Sequence, residues 1–246
     1  MDSQEVPLSF REILTGPVLV STGSYASFAM LDTSFRTMFP VYLATPMKMG
    51  GLGLDPSHIG TLLAAMGLFS SVFQLAFFPP LHSRLGGKTL FLITTSLFFP
   101  VAAFCPFTSR VGQEQGLNNL VWLLLGIQIF LYSCANLAFS KSSPDQWFEI
   151  DGHISSNPGA TFVYVNSAAP NRASMGAVSG FAQMIVAIVR AVGPSAMNSA
   201  FALGIEKHVM GGHFAYWLMA GMAAISLGFG VALPLNDWST RKRGAM

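Results

Sequence analysis

The sequence predicts an all-α membrane protein. Of its 246 residues 52% are hydrophobic and only 10% charged, and the mean hydropathy is positive, a balance foreign to a soluble core of this size. The apolar residues also gather into six long runs that are continuous rather than alternating, which points to helices and away from a β-barrel.

A hydrocarbon core about 30 Å thick takes about 20 residues of helix at 1.5 Å rise, and each run clears or approaches that length. The first, Val18 to Ala44, carries two ionisable residues, Asp32 and Arg36. Ile59 to Pro79 follows with Gln74 inside it, then Leu90 to Phe107, then Leu120 to Phe139 with Gln128. Ala177 to Leu203 contains Gln183, Arg190 and Asn198, and Phe214 to Leu235 closes the set. Cys105 and Cys134 fall in or beside these runs, where a thiol behaves as a small hydrophobe. They imply no disulfide and no metal spacing, and no cofactor is expected. The opening residues, Met1-Asp-Ser-Gln-Glu-Val6, are acidic and polar, unlike the basic head of a cleaved signal peptide, so the first span is expected in the mature protein.

Orientation follows from the Lys and Arg that remain once the spans are removed. With the N-terminus inside, eight fall on the cytoplasmic side: Arg11, Arg84, Lys88, Lys141, Arg172, Arg241, Lys242 and Arg243. Lys48, Arg110 and Lys207 fall outside, while Arg36 and Arg190 are intramembrane. Both termini are therefore expected in the cytoplasm, on a single six-helix domain covering residues 1–246. The tail Arg241-Lys-Arg243 directly follows a span and reads as a topology anchor, not a nucleic-acid site. Nothing in the chain distinguishes a plasma membrane from a vacuolar one.

Ionisable residues inside spans are the candidates for function. Asp32 and Arg36 are four apart and share a helix face, so they either neutralise one another or form a proton or cation site facing a wet cavity, with Arg36 tuning the carboxylate. Arg36, close to Pro40, could also snorkel outward. Arg190 has no carboxylate one turn away on its own helix, which leaves a counter-charge elsewhere in the bundle, an anionic solute or lipid group, or backbone carbonyls freed by a kink at Pro194. Gln74 and Asn198 could line the same polar path, although a single amide more often bonds a neighbouring helix. Gly176-Ala-Val-Ser-Gly180 has the spacing that lets a helix backbone approach closely, and Gly193 and Pro194 are expected to break the fifth span near its middle. Glu206, His208 and His213 could form an outer cation site only by folding back on one another, and no metal site is expected.

Three segments carry a resemblance: Phe28-Ala-Met-Leu-Asp-Thr-Ser-Phe-Arg36; Gly50-Gly-Leu-Gly-Leu54 with Phe73-Gln-Leu75 and Pro80-Leu-His-Ser-Arg-Leu-Gly86; and Asn171-Arg172 through Arg190-Ala-Val-Gly-Pro194. They resemble the seventh, eighth and eleventh helices of a major facilitator superfamily transporter. The flavour is that of fungal relatives of the zinc-induced-facilitator-like carriers, in the drug:proton antiporter branch. The resemblance implies the C-terminal six-helix half of a twelve-helix fold. Against that pattern, residues 141–159 form a polar stretch rich in Ser, Pro, Asp and Gly that reads as a cytoplasmic loop or as an insertion. Without it, Ala138-Phe-Ser140 would join Ala160-Thr-Phe-Val-Tyr-Val165 in a longer tenth helix, and Asp145, Glu149, Asp151 and His153 are then without function.

The expected function is secondary transport in the lipid bilayer: exchange of a small solute, against protons, by a half that rocks against a second six-helix half or another copy of itself. The alternative is a truncated or self-pairing half that moves nothing. An intramembrane serine protease would need a Gly-x-Ser-Gly setting and a membrane histidine. Gly176-Ala-Val-Ser-Gly180 is one residue too long and no histidine lies within a span, so no enzyme is expected.

Overall fold

A computed structural model describes residues 10–139, 160–171, 173–207 and 209–234. Among them all regular structure is helical. A single turn, α1 (Phe10–Ile13), precedes α2 (Gly16–Ala44), whose first turn holds Pro17, where a missing N–H removes no helical bond. A 3-10 turn at Met47–Met49 leads to α3 (Pro56–Ser96), α4 (Phe98–Gln115) and α5 (Asn119–Ala135), which tightens into a 3-10 turn at Asn136–Phe139. Then come α6 (Ala160–Ser167), α7 (Met175–Glu206), a 3-10 turn at Val209–Gly212, and α8 (Phe214–Ala232).

The segment expected to be a loop between the second and third runs is instead mostly helix. α3 is interrupted at Gly86 (φ 74°, ψ 160°), a backbone conformation that side-chain-bearing residues rarely adopt. The apolar stretch that contains the break runs on through α4 as Ser83–Gln115, 33 residues, well beyond the expected Leu90 to Phe107.

Among the described residues four stretches are long and apolar enough to cross a membrane: Pro56–Phe78, Ser83–Gln115, Met175–Glu206 and Phe214–Ala232. α5 has 17 residues before its 3-10 extension. α2 has the length, at 29 residues, but Asp32, Arg36 and seven Ser or Thr dilute its apolar character. Several of those hydroxyls are satisfied within the helix. Ser24 donates to the Val20 carbonyl at 2.9 Å, Thr33 to Ala29 at 2.6 Å and Thr37 to Thr33 at 3.0 Å, which makes a hydroxyl-rich helix compatible with a dry surrounding.

α2 is the hub of the bundle. It packs on α7 and α8 above all, and also on α6 and α3. Phe28, Phe35, Phe39 and Tyr42 are buried along it, and Tyr42 donates to the Cys105 carbonyl of α4 at 2.8 Å. Where α7 crosses α2, a Cβ on Gly193 would stand 3.0 Å from Ser34 Oγ and 3.2 Å from Met30 Cγ, so the crossing depends on a residue without a side chain. The expected break at Pro194 is absent: α7 runs through it from Met175 to Glu206. A proline costs an interior helix one backbone bond, here to the Arg190 carbonyl, and packing on α2 holds the turns on either side. At the C-terminal end of α8, Lys88 donates to the carbonyls of Val231 (2.7 Å) and Leu233, covering the orphan carbonyls there.

α6 is a separate short helix on α2 and α7, with Asn166 Oδ1 accepting from Ser179 of α7 at 2.7 Å. The segment 141–159, with Asp145, Glu149, Asp151 and His153, lies outside the described residues.

Gly193→Leu should lower the melting temperature of the detergent-solubilised chain by several degrees, since overpacking costs about 1–3 kcal/mol. Gly180→Leu, at a position with no atom within 4 Å of an added Cβ, should leave it unchanged.

Candidate functional site

Asp32 sits on the face of α2 that meets α5. Met30 and Ser34, which touch α7, lie two residues away, about 200° around the helix, so the carboxylate points away from α7. It is 9% exposed and lies among donors. Its Oδ1 accepts from the Tyr132 hydroxyl at 2.6 Å and from Asn136 Nδ2 at 2.8 Å. Arg36 Nε approaches both carboxylate oxygens at 3.2 Å and donates to the Tyr132 oxygen at 2.8 Å. The phenol thus donates to the carboxylate while accepting from the guanidinium, and the three groups form one closed unit.

The donors come from the end of α5 by helical spacing. Tyr132 and Asn136 are four apart and share a face, and Ser133 beside them is held 2.8 Å from Ser70 of α3. Tyr132 is fixed by its neighbours, with ring centroids 4.6 Å from Phe35 and 6.2 Å from Phe98. Gln74 of α3 donates to the Asn136 carbonyl at 3.3 Å. A polar chain therefore crosses from α2 through α5 to α3, in a bundle that is otherwise apolar.

Of the residues singled out by sequence, Asp32, Arg36 and Gln74 come together. Arg36 does not snorkel away: it stays on the carboxylate with 54% of its side chain uncovered, so the cluster reaches an open boundary of this chain. Asp32 itself is enclosed, not open to a cavity as expected, because Tyr132 and Asn136 occupy the space in front of it. Arg190 lies on the uncovered surface of α7, and the bundle of this chain does not bury it. Asn198 is half-buried with its Oδ1 unpartnered. Gly176 and Gly180 are also uncovered, and among the described residues no helix lies on them. Gln128 is a structural tie, donating to Cys105 Sγ at 2.8 Å and the Val101 carbonyl at 3.3 Å, both in α4. Sequence reasoning passed over Tyr132 and Asn136. The available signal was two polar groups four apart inside an apolar run.

Comparison with known proteins places the chain beside transporters. It is 24% identical over 202 residues to the efflux pump azaK of Aspergillus niger, covering 81% of this chain and 38% of that protein. It is 24% identical to the major facilitator superfamily multidrug transporter mfsB of Aspergillus fumigatus, over 86% of this chain and 33% of the relative. With Protein ZINC INDUCED FACILITATOR 1 of Arabidopsis thaliana the identity is 22%, over 92% of this chain and 42% of the relative. These relatives are major facilitator superfamily transporters. The chain thus aligns along most of its own length while spanning well under half of theirs. No family model and no solved structure matches it. The likeness to major facilitator transporters agrees with the all-α fold and with the resemblance carried by Asp32, Arg36 and the Arg190 segment.

Asn136→Ala should destabilise the solubilised chain by about 0.5–2 kcal/mol, because it removes a donor to a buried carboxylate. Tyr132→Phe should do the same, and the two losses should be non-additive in a double-mutant cycle of thermal melts, since both act on Asp32 Oδ1. Gln183→Ala, on the uncovered side of α7, should cost nothing measurable.

Proposed function

We propose that this chain is the C-terminal half of an alternating-access transporter, with both termini in the cytoplasm, that exchanges a small solute against protons at the Asp32 cluster. The observation that carries it is a carboxylate buried among Tyr132, Asn136 and Arg36, with Arg36 half uncovered at the boundary of the bundle. Intramembrane carboxylates on polar chains are the usual proton carriers of such proteins. Protonation of Asp32 removes the negative charge that holds Arg36, while Tyr132 and Asn136 still have an oxygen to bond. The guanidinium is then available to an anionic or hydrogen-bonding group of the solute, and its return expels the proton.

Uneven coverage of the helices supports a second half. In the most apolar windows of Pro56–Phe78 and Met175–Glu206 only 17% of residues are buried, against 44% in Ser83–Gln115 and 39% in Phe214–Ala232. The poorly covered side of α7 bears Gly176 and Gly180, which admit a close backbone, together with Arg190. A partner half lying on α7 and the first arm of α3 would enclose a midplane passage with Arg190 on its wall. The same faces fit a second copy of this chain.

In cells expressing the complete transporter, Asp32→Asn should abolish flux driven by a pH gradient while the protein still reaches the membrane. Undiminished flux in that variant would remove Asp32 from the coupling step. Cysteines introduced at Gly180 should crosslink to the partner half within the membrane, and failure to crosslink to any partner would remove α7 from the interface.

A further inference from the structure

The outer end of the bundle holds a second arrangement of charge and cavity, remote in sequence and function from Asp32. A recess of about 660 Å³ is lined by Lys48, Arg110, Gln113, Glu206, His213 and Tyr216. It opens into a groove of about 470 Å³ between α4 and α8, whose walls include Phe99, Ala103, Phe107, Trp217 and Ala220. Pro106, Arg110, His213 and Tyr216 border both, so the polar recess and the apolar groove form one continuous two-part space.

Four observations converge on what would fill it. First, charge asymmetry leaves only Lys48, Arg110 and Lys207 on the outer side, yet two of these three face the same recess. Gln113 donates to the Met47 carbonyl at 2.7 Å, which holds the turn carrying Lys48 over the recess. Second, Arg110 Nη2 lies 3.4 Å from His213 Nε2, and burial, followed by the charge of Arg110, lowers the pKa of His213. A neutral ring accepts from Arg110 and orients it without cancelling its charge. Third, the Tyr216 residue borders both parts of the space while its hydroxyl is shut off from the open volume, so its ring forms part of the wall where the polar recess meets the apolar groove. Fourth, Phe99 to Arg110 is eleven helical steps along α4, about 16 Å at 1.5 Å each, close to the thickness of one hydrocarbon leaflet. Phe107 and Trp217 stand uncovered along it, the tryptophan near the end where aromatic rings favour the membrane interface.

We propose that this space binds an anionic glycerophospholipid of the outer leaflet, its phosphate on Arg110 and Lys48 and one acyl chain along the α4–α8 groove. Two cations against the single carboxylate of Glu206 leave the recess net positive, which favours an anionic over a zwitterionic head. The apolar groove demands a tail, which a free anion lacks. Nothing in this site depends on proton coupling at Asp32, so its binding behaviour is independent of transport.

The test is thermal melting and native mass spectrometry of the detergent-solubilised chain with phosphatidylglycerol, phosphatidylcholine or soluble glycerol 3-phosphate. Phosphatidylglycerol should raise the melting temperature and survive as a one-to-one adduct, whereas phosphatidylcholine and glycerol 3-phosphate should do neither. Arg110→Ala should weaken the adduct about tenfold or more, the scale of a lost charge-assisted bond. Ala103→Trp, which fills the groove and leaves the charges intact, should weaken it comparably. Equal stabilisation by phosphatidylcholine, full stabilisation by glycerol 3-phosphate, or indifference to both Arg110→Ala and Ala103→Trp would each overturn the assignment.

Discussion

A carboxylate in the middle of an apolar bundle obliges the rest of the fold to supply its hydrogen bonds, and here that obligation organises three helices. Within lipid no bulk water is at hand to solvate Asp32, so its donors come from the chain. Tyr132 and Asn136 meet it from α5, Arg36 meets it from one turn along α2, and Gln74 secures the Asn136 backbone from α3. Tyr132, Asn136 and Arg36 all bond the one carboxylate, so the loss of any donor is felt by the others. The registers of α2 and α5 are thereby locked to one another in a way that apolar packing alone, tolerant of sliding, would not achieve.

The opposite face of α2 is governed by a different rule. There Met30 and Ser34 meet Gly193 of α7, and close approach replaces hydrogen bonding as the source of cohesion. Helices in lipid gain little from burying apolar surface, since the tails are as apolar as leucine, and so they associate through small residues and satisfied polar groups. One helix therefore carries both devices, a polar lock toward α5 and a small-residue contact toward α7. The uncovered length of α7 and of the first arm of α3 continues the second device outward.

The two polar regions of the molecule differ in how their charges are compensated. At Asp32 every donor is internal and the carboxylate is enclosed. At the second recess Lys48 and Arg110 border open volume. A recess with donors left over suits a ligand that supplies the missing acceptor.

Sequence alone determined the solvent and the class: long continuous apolar runs need lipid around them and leave the helix as the only backbone able to satisfy itself. It also determined the pairing of Asp32 with Arg36, because residues four apart on a helix are neighbours wherever that helix is placed. Tertiary structure decided what spacing along one chain does not encode. Tyr132 and Asn136 stand about 100 positions from Asp32, and only the assembled bundle, in which their side chains reach across from α5 and its 3-10 extension, brings that polar face to the carboxylate. The same holds for Pro194, whose expected break is overridden by packing on α2, and for Arg190, whose helix direction places it on the uncovered side. The physical reason is common to all of these: helical periodicity fixes which residues share a face, and only contacts between helices fix what that face meets.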